Sequence, residues 1–425
     1  MKQYSQMKDS GVSWIGEIPK NWNVKKIKYS VIHRTLKSKT NNQLSYVGLE
    51  NVESKTGKLL DKNNDMAESD GKLFFKNDVL FGKLRPYLSK VTKIDFDGYC
   101  SSEFLVLCGV DYISSFLQFL IISHGAISEI DASTYGSKMP RAEWGFIGNM
   151  KFPLISKKIQ TQIVTYLEEK IIHMDNEISK NEKLIKLLTE QKHSLIDHVV
   201  TKGLDDSVPM KDSEIPGIGK IPKHWKSARF KFLTDRVIVG IAESSTNSYV
   251  DKGIPLIRST NIRDNYFRKD NLIFIDNKFA KKNFSKSLRE HDILTVRTGY
   301  PGVSALISKE FDGAQCFTLL ISTPSKSQSS KFLCYCLNSN FSKSFFKVEG
   351  WGAAQINISV PILQNLPLFE PPYVEQKQIA DHIDKKLKKI DLLISKIELQ
   401  VTQLREFRKS LISSAVTGKI QVAQT

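Results

Sequence analysis

The chain has 425 residues, more than one ordinary core accommodates, so two or more domains are expected. Its 62 Lys and Arg against 45 Asp and Glu leave a formal charge of +17, with a pI near 9.4. Such a surplus favours a polyanionic partner: nucleic acid, an anionic membrane or an acidic protein surface. The start, MKQYSQMKDSG, lacks the apolar core of a signal or transit peptide. The most apolar stretch, FLQFLIIS at 116–123, falls well short of a bilayer span, so a cytoplasmic chain without membrane contact is expected.

The predicted elements begin with a phrase that is written twice. Residues 7–22 read MKDSGVSWIGEIPKNW and residues 210–225 read MKDSEIPGIGKIPKHW, identical at ten of sixteen positions. Further matches follow at slowly growing offsets, as loop insertions produce. NDVLFGKL (77–84) parallels HDILTVRT (291–298), SFLQFLI (115–121) parallels KFLCYCL (331–337), and Phe152-Pro153-Leu154 parallels Leu366-Pro367-Leu368. Within each copy, β-branched and aromatic runs such as LSYVGL, FLVL, DILTV and FTLLIS alternate with Gly, Asn, Asp and Pro. One helix is expected near 112–124 and its counterpart near 329–340. The fold class is therefore α+β.

Each copy ends in a long helical pattern. Residues 160–204 align without a gap on 376–420, and both carry one heptad phase. The first seam runs through Ile163, Leu167, Ile171, Met174, Ile178, Asn181, Ile185, Leu188, Lys192, Leu195 and Val199. The second runs through Ile379, Ile383, Leu387, Ile390, Ile394, Ile397, Val401, Leu404, Arg408, Leu411 and Ala415. Each seam needs a partner, and the other seam is the natural one. Lys192 and Arg408 occupy the same seam position, where parallel packing would stack two cations. Antiparallel packing separates them, so an antiparallel coiled coil with a pseudo-twofold axis is expected. The plan is then a domain at 1–155, a spacer helix at 156–204, a second domain at 205–371 and a second spacer helix at 372–420.

The two copies keep their frame but diverge between the anchors, which suits two different readings of DNA. Polar, Gly-bearing, basic segments are the candidates. The first domain offers Lys83, Arg85, Tyr87 and Lys90, then Thr134, Tyr135, Ser137, Lys138 and Arg141. The second offers Arg258, Asn261, Arg263, Arg297, Thr298, Tyr300, Gln355 and Asn357. Arg can pair bidentately with guanine, Asn or Gln with adenine, and Lys or Thr with phosphate oxygens. Any one of these residues alone reads more readily as a solvated loop side chain; it is their clustering at matching places in both copies that points to DNA.

No chemistry of the chain's own is expected. The five cysteines, Cys100, Cys108, Cys316, Cys334 and Cys336, are odd in number and lack zinc-site spacing, so neither a disulfide nor a metal site is expected. FEPPYVEQ (369–376) resembles an amino-methyltransferase motif, but Glu370 stands at its polar position and no glycine-rich cofactor loop accompanies it. No phosphate-binding GxxxxGK[ST] loop is present.

The doubled G-x-I-P-x-x-W (Gly16, Ile18, Pro19, Trp22; Gly219, Ile221, Pro222, Trp225), FGKLRPYL, the Glu375-Gln376-x-x-Ile379 lead and the AVTGKI helix exit carry a family resemblance. Together they resemble the specificity subunit of type I restriction–modification systems over essentially the whole chain. The resemblance implies two target recognition domains, antiparallel spacer helices and a bipartite site in double-stranded DNA. It further implies two methyltransferase subunits that methylate adenine with S-adenosylmethionine, and restriction subunits that use ATP and Mg. No cofactor is implied for this chain. The first helix departs from the pattern twice, with KKIQTQI lacking the acidic residue before Gln and VVTKGL exchanging Gly and Lys. The alternative reading is a non-enzymatic coiled-coil scaffold that binds an acidic protein.

Overall fold

The computed structural model describes residues 4–39, 44–60, 70–134, 138–215, 217–243, 246–350, 352 and 356–422. Its contacts divide the chain into two compact units, residues 1–182 with 398–425, and residues 183–397. Each unit thus contains one copy of the repeat together with part of each long helix.

The repeated phrase folds as a hairpin in both units. Met7–Asp9 runs antiparallel to Glu17–Pro19, and Met210–Asp212 to Lys220–Pro222. Gly16 and Gly219 turn the chain at φ +66° and +72°, a region that favours glycine. The tryptophan that follows, Trp22 or Trp225, is at most 1% exposed. The next strand pairs with the last one of the same copy, Asn23–Lys26 with Lys151–Leu154 and Lys226–Arg229 with Pro367–Glu370. That pairing explains why the FPL and LPL segments recur.

A four-stranded antiparallel sheet is common to both units. In the first its order is Val31–Arg34, Phe104–Gly109, Val79–Gly82, Val91–Lys93. In the second it is Thr234–Val239, Leu320–Pro324, Ile293–Thr295, Ser304–Leu306. Both sheets bury the aspartate of the NDVL and HDIL segments against an arginine. Arg34 Nε lies 3.0 Å from Asp78 Oδ2, and Arg236 Nη2 lies 2.7 Å from Asp292 Oδ2. The same carboxylates accept the backbone N–H of Phe75 and Arg289, both at 2.9 Å.

The second sheet differs between the units. In the first, Gly98–Ser101 is interior, between Asp70–Phe74 and Ser45–Val47. In the second, the corresponding Gln315–Cys316 is an edge strand beside Ile254–Ile257. The parallel pairing survives in both, with Cys100 opposite Val47 and Cys316 opposite Ile257.

Where one helix is expected near 112–124 and one near 329–340, the structure has two in each place. Ser114–Ile122 is followed by His124–Ala132, and Ser330–Asn338 by Asn340–Glu349. The break is a serine with extended ψ, 146° at Ser123 and 154° at Ser339. The Ser339 hydroxyl caps the second helix by accepting from Ser342 N at 3.2 Å. Cys334 and Cys336 are buried in the first helix of the pair.

The long helices are Lys157–Lys202 and Tyr373–Val416. Each is fastened to its unit by a buried glutamine. Gln160 accepts from Ile113 N at 2.8 Å and donates to the carbonyls of Asp111 and Ile155 at 2.8 and 2.9 Å. Gln376 accepts from Ser329 N at 2.8 Å and donates to Gln328 Oε1 and Pro371 O at 2.8 and 2.9 Å. Within each unit the helices run antiparallel. Ile171 and Met174 share a core with Leu404 and Leu411, while Ile196 and Val199 share another with Ile379, Ile383 and Leu387. All the seam residues are buried or partly buried, including Ile178, Ile185, Leu188, Leu195, Ile390, Ile394, Ile397 and Val401.

The two departures of the first helix differ in their structural consequences. Glu375 accepts the Trp225 indole N–H at 3.0 Å, but its counterpart is Ile159, and the buried Trp22 Nε1 has no partner among the described residues. The exchanged Gly and Lys, by contrast, preserve one geometry. Gly203 and Gly418 both have positive φ and lie against Trp225 and Trp22, respectively. Lys202 donates to the carbonyl of Lys220, and Lys419 to that of Glu17 at 2.6 Å. Those two carbonyls are equivalent in the repeated phrase.

Candidate nucleic-acid interface

In the first unit the structure brings the two candidate segments together. Leu84 bridges Arg141, Ala142 N donates to Lys83 O at 3.0 Å, and Arg85 N donates to Pro140 O at 2.8 Å. The second unit repeats this tie. Thr298 bridges Asn357, and Ile358 N donates to Arg297 O at 3.0 Å. The same two loops are therefore clipped together in both units, with Leu84 and Arg141 in one where Thr298 and Asn357 stand in the other.

Several candidates face solvent. Arg85 is exposed at φ +51° on the turn into Pro86–Leu88. Tyr87 is 47% and Tyr300 74% exposed, unusual for large aromatic side chains and suited to stacking or groove contact. Lys138, Arg263 and Thr298 are exposed as well. Arg141 reaches outward but is held by Glu103, donating from Nε and Nη2 at 3.2 and 3.1 Å. That fork is planar and exchangeable for a phosphate or a guanine edge.

Other candidates are occupied internally. Lys90 donates to Leu49 O at 2.6 Å and Thr134 to Asp131 O at 2.7 Å. Arg297 Nε donates to Ile358 O at 3.2 Å, and Arg258 Nη2 to Asn271 O at 3.0 Å. Asn261 is buried: its Oδ1 accepts from Arg258 N at 3.0 Å, and its Nδ2 donates to Arg268 O and Asp270 O, both at 3.1 Å. Asn51 accepts from Gly48 N in the same manner, so this asparagine shapes its loop in both units. Tyr135, Ser137 and Gln355 lie outside the described residues.

Two unmatched polar atoms mark the second unit's patch. Asn357 Oδ1 and Arg258 Nε are buried with no hydrogen-bond partner among the described residues. Sequence reasoning passed over one group in the first unit, made of His33, Lys72 and Trp144. The His33 ring packs on Trp144 with centroids 4.9 Å apart. Lys72 donates to Phe104 O at 2.7 Å. Burial, then Lys72 and Lys83, lower the His33 pKa, and burial followed by Lys83 lowers that of Lys72. These residues come from separate strands and carry no motif, so only the fold gathers them.

No group of three or more His, Cys, Asp or Glu residues suited to a metal ion occurs among the described residues. Among the same residues no helix is long and apolar enough to cross a membrane.

Comparison with known proteins agrees with this architecture. Residues 240–403 match the model of the type I restriction modification DNA specificity domain. The MjaVIII specificity subunit of Methanocaldococcus jannaschii is 25% identical over 302 residues, covering 69% of this chain and 68% of that one. The EcoKI specificity subunit of Escherichia coli is 29% identical over 218 residues, 48% of this chain and 44% of its own length. In fold, the chain is similar to one from a type I restriction–modification system solved to explain complex assembly and conformational transition. The TM-score is 0.73 at 19% identity, covering 95% of this chain and 99% of that one. The HsdS subunit of Thermoanaerobacter tengcongensis gives a TM-score of 0.53 at 17% identity, covering 95% and 98%. Residues 240–403 thus match the DNA specificity domain of type I restriction–modification systems, and the chain as a whole is similar to their specificity subunits in sequence and in fold.

Proposed function

We propose that the chain recognises a bipartite site in double-stranded DNA, one half read by residues 1–155 and the other by residues 205–371. The helices at 156–204 and 372–420 set the spacing between the halves. Two methyltransferase subunits dock along the helices and methylate adenine with S-adenosylmethionine, and restriction subunits that consume ATP join them. This chain supplies recognition and assembly without catalysing either reaction.

The observation that carries the reading is the pair of loop clips, Leu84 with Arg141 and Thr298 with Asn357. One backbone device presents two different sets of side chains, as reading two different sequences requires. Exposed Arg85, Tyr87 and Lys138 in one unit, and Arg263, Thr298 and Tyr300 in the other, are the proposed first contacts.

Single-molecule sequencing of native genomic DNA, with and without the gene, tests the proposal. Deletion is expected to erase N6-methyladenine at one bipartite motif and leave other methylation intact. An unchanged methylation map in a strain that expresses the partner subunits would contradict it and favour the scaffold reading.

A further inference from the structure

Lys83 stands at the foot of the first unit's loop clip, its backbone N–H on Glu103 O at 2.8 Å. Lys72 reaches the next carbonyl along, Phe104 O. The two lysines thus hang from consecutive residues of one strand end, and both are partly buried. Among the described residues the Lys83 ammonium has no hydrogen bond or ion pair, and Lys72 uses one of its three donors. The nearby Glu103 carboxylate is already engaged by Arg141. Glu143, exposed, is the other acidic group near Lys72. His33, whose pKa burial and then both lysines lower, buries an Nε2 that has no hydrogen-bond partner among the described residues.

Burial, and after it the Lys83 charge, disfavour the charged form of Lys72, an arrangement that folding tolerates only at some cost in stability. An oxyanion would relieve that cost. The second unit lacks this arrangement: Arg297 stands where Lys83 does and donates to Ile358 O. Among the described residues no strand in the second unit occupies the place of Asp70–Phe74 beside Gln315–Cys316.

We propose that Lys72 and Lys83 together hold one phosphate of the DNA backbone at the base of the first unit's loop patch, a contact that the second unit does not duplicate. The inference rests on the functional reading above and deepens it. The two lysines fix where the duplex lies on this unit, while the loop side chains above them meet the bases.

The test is Lys83→Gln in the full-length chain, binding a duplex that carries its methylation motif over a range of salt concentrations. The variant is expected to bind several-fold more weakly. Its dependence of log K on log salt should be shallower by about 0.9, the equivalent of one phosphate. Its melting temperature should be unchanged or higher, because an unpaired, partly buried charge has gone. Lys83 gives up no side-chain hydrogen bond among the described residues, so loss of folding does not confuse the result. Sequence-selective binding with an unaltered salt slope would overturn this inference alone. A Lys83→Gln effect confined to inorganic phosphate, with duplex binding intact, marks a free-anion site and overturns it too. Wild-type chain that shows no sequence selectivity at all would overturn the functional reading instead.

Discussion

Arg408 Nε lies 3.6 Å from the Asp175 carboxylate, and the residues related to both by the repeat make the reciprocal pair, Lys192 with Asp391. In each pair a seam cation on one long helix meets an acid on the other, and the roles exchange between units. Only antiparallel packing gives that reciprocity. The Arg408 side chain is 12% exposed and its Nε has no hydrogen-bond partner among the described residues, so much of its desolvation is uncompensated. Arg408→Leu is therefore expected to raise stability by about 1 kcal/mol, and Asp175→Asn to lower it by a similar amount. Chemical denaturation of both variants checks this; a destabilised Arg408→Leu would show that the cation is needed where it stands.

Gln160 satisfies three backbone groups where the first long helix leaves its domain. Gln160→Leu keeps the volume but leaves Ile113 N, Asp111 O and Ile155 O unpaired. Each buried orphan costs about 1–3 kcal/mol, so a loss on the order of 3 kcal/mol is expected. Gln376→Leu should cost a similar amount in the other unit. A loss below about 0.5 kcal/mol for either would mean that water replaces the amide.

The contrast between Trp22 and Trp225 gives a third pair of variants. Glu375→Ile removes the acceptor of the Trp225 indole and leaves His224 Nε2 without its contact at 2.8 Å. A cost of about 1–3 kcal/mol follows from the orphaned indole. Ile159→Gln offers Trp22 a partner but sacrifices apolar packing, so its net effect should fall within about 1 kcal/mol of zero. Denaturation followed by tryptophan fluorescence measures both. Equal and large losses would show that the hydrogen bond is not the difference between the sites.

The cysteines predict a pattern of reactivity and an alkaline limit. Burial pushes the Cys100 and Cys316 thiols up to about 12 and also raises Cys334 and Cys336. Native protein treated with iodoacetamide should therefore be labelled first at Cys108, which is partly exposed. For the sign, the folded pKa exceeds the unfolded one. The stability contribution is thus complete below about pH 8.5 and is lost as pH rises toward the folded values. Within that window each buried thiol removes about 1.4 kcal/mol per pH unit. Rapid labelling of Cys316 at neutral pH would contradict the burial.

The parts of the fold legible in the sequence are those that the repeat states twice. The hairpin phrase, the FPL and LPL closing strands and the heptad seams all recur at fixed spacing, and recurrence separates design from chance. The order of the second sheet was not legible. Whether Gly98–Ser101 is interior or edge depends on which distant strand pairs with it, and strand composition is the same either way. The serine breaks at Ser123 and Ser339 were hidden inside apolar runs that continue past them. Among site candidates, Asn261 bonds to its own loop, and in sequence a polar side chain that builds a turn looks like one that faces a ligand. His33 and Lys72 carry no signal at all until the strands assemble.

Each unit is proposed to read its own half of the DNA site. Exchanging residues 23–150 for the equivalent segment of another family member, then sequencing the methylated genome, tests it most directly. One half of the methylated motif is expected to change while the other half and the spacing stay as they were. A change in both halves, or in neither, would contradict it.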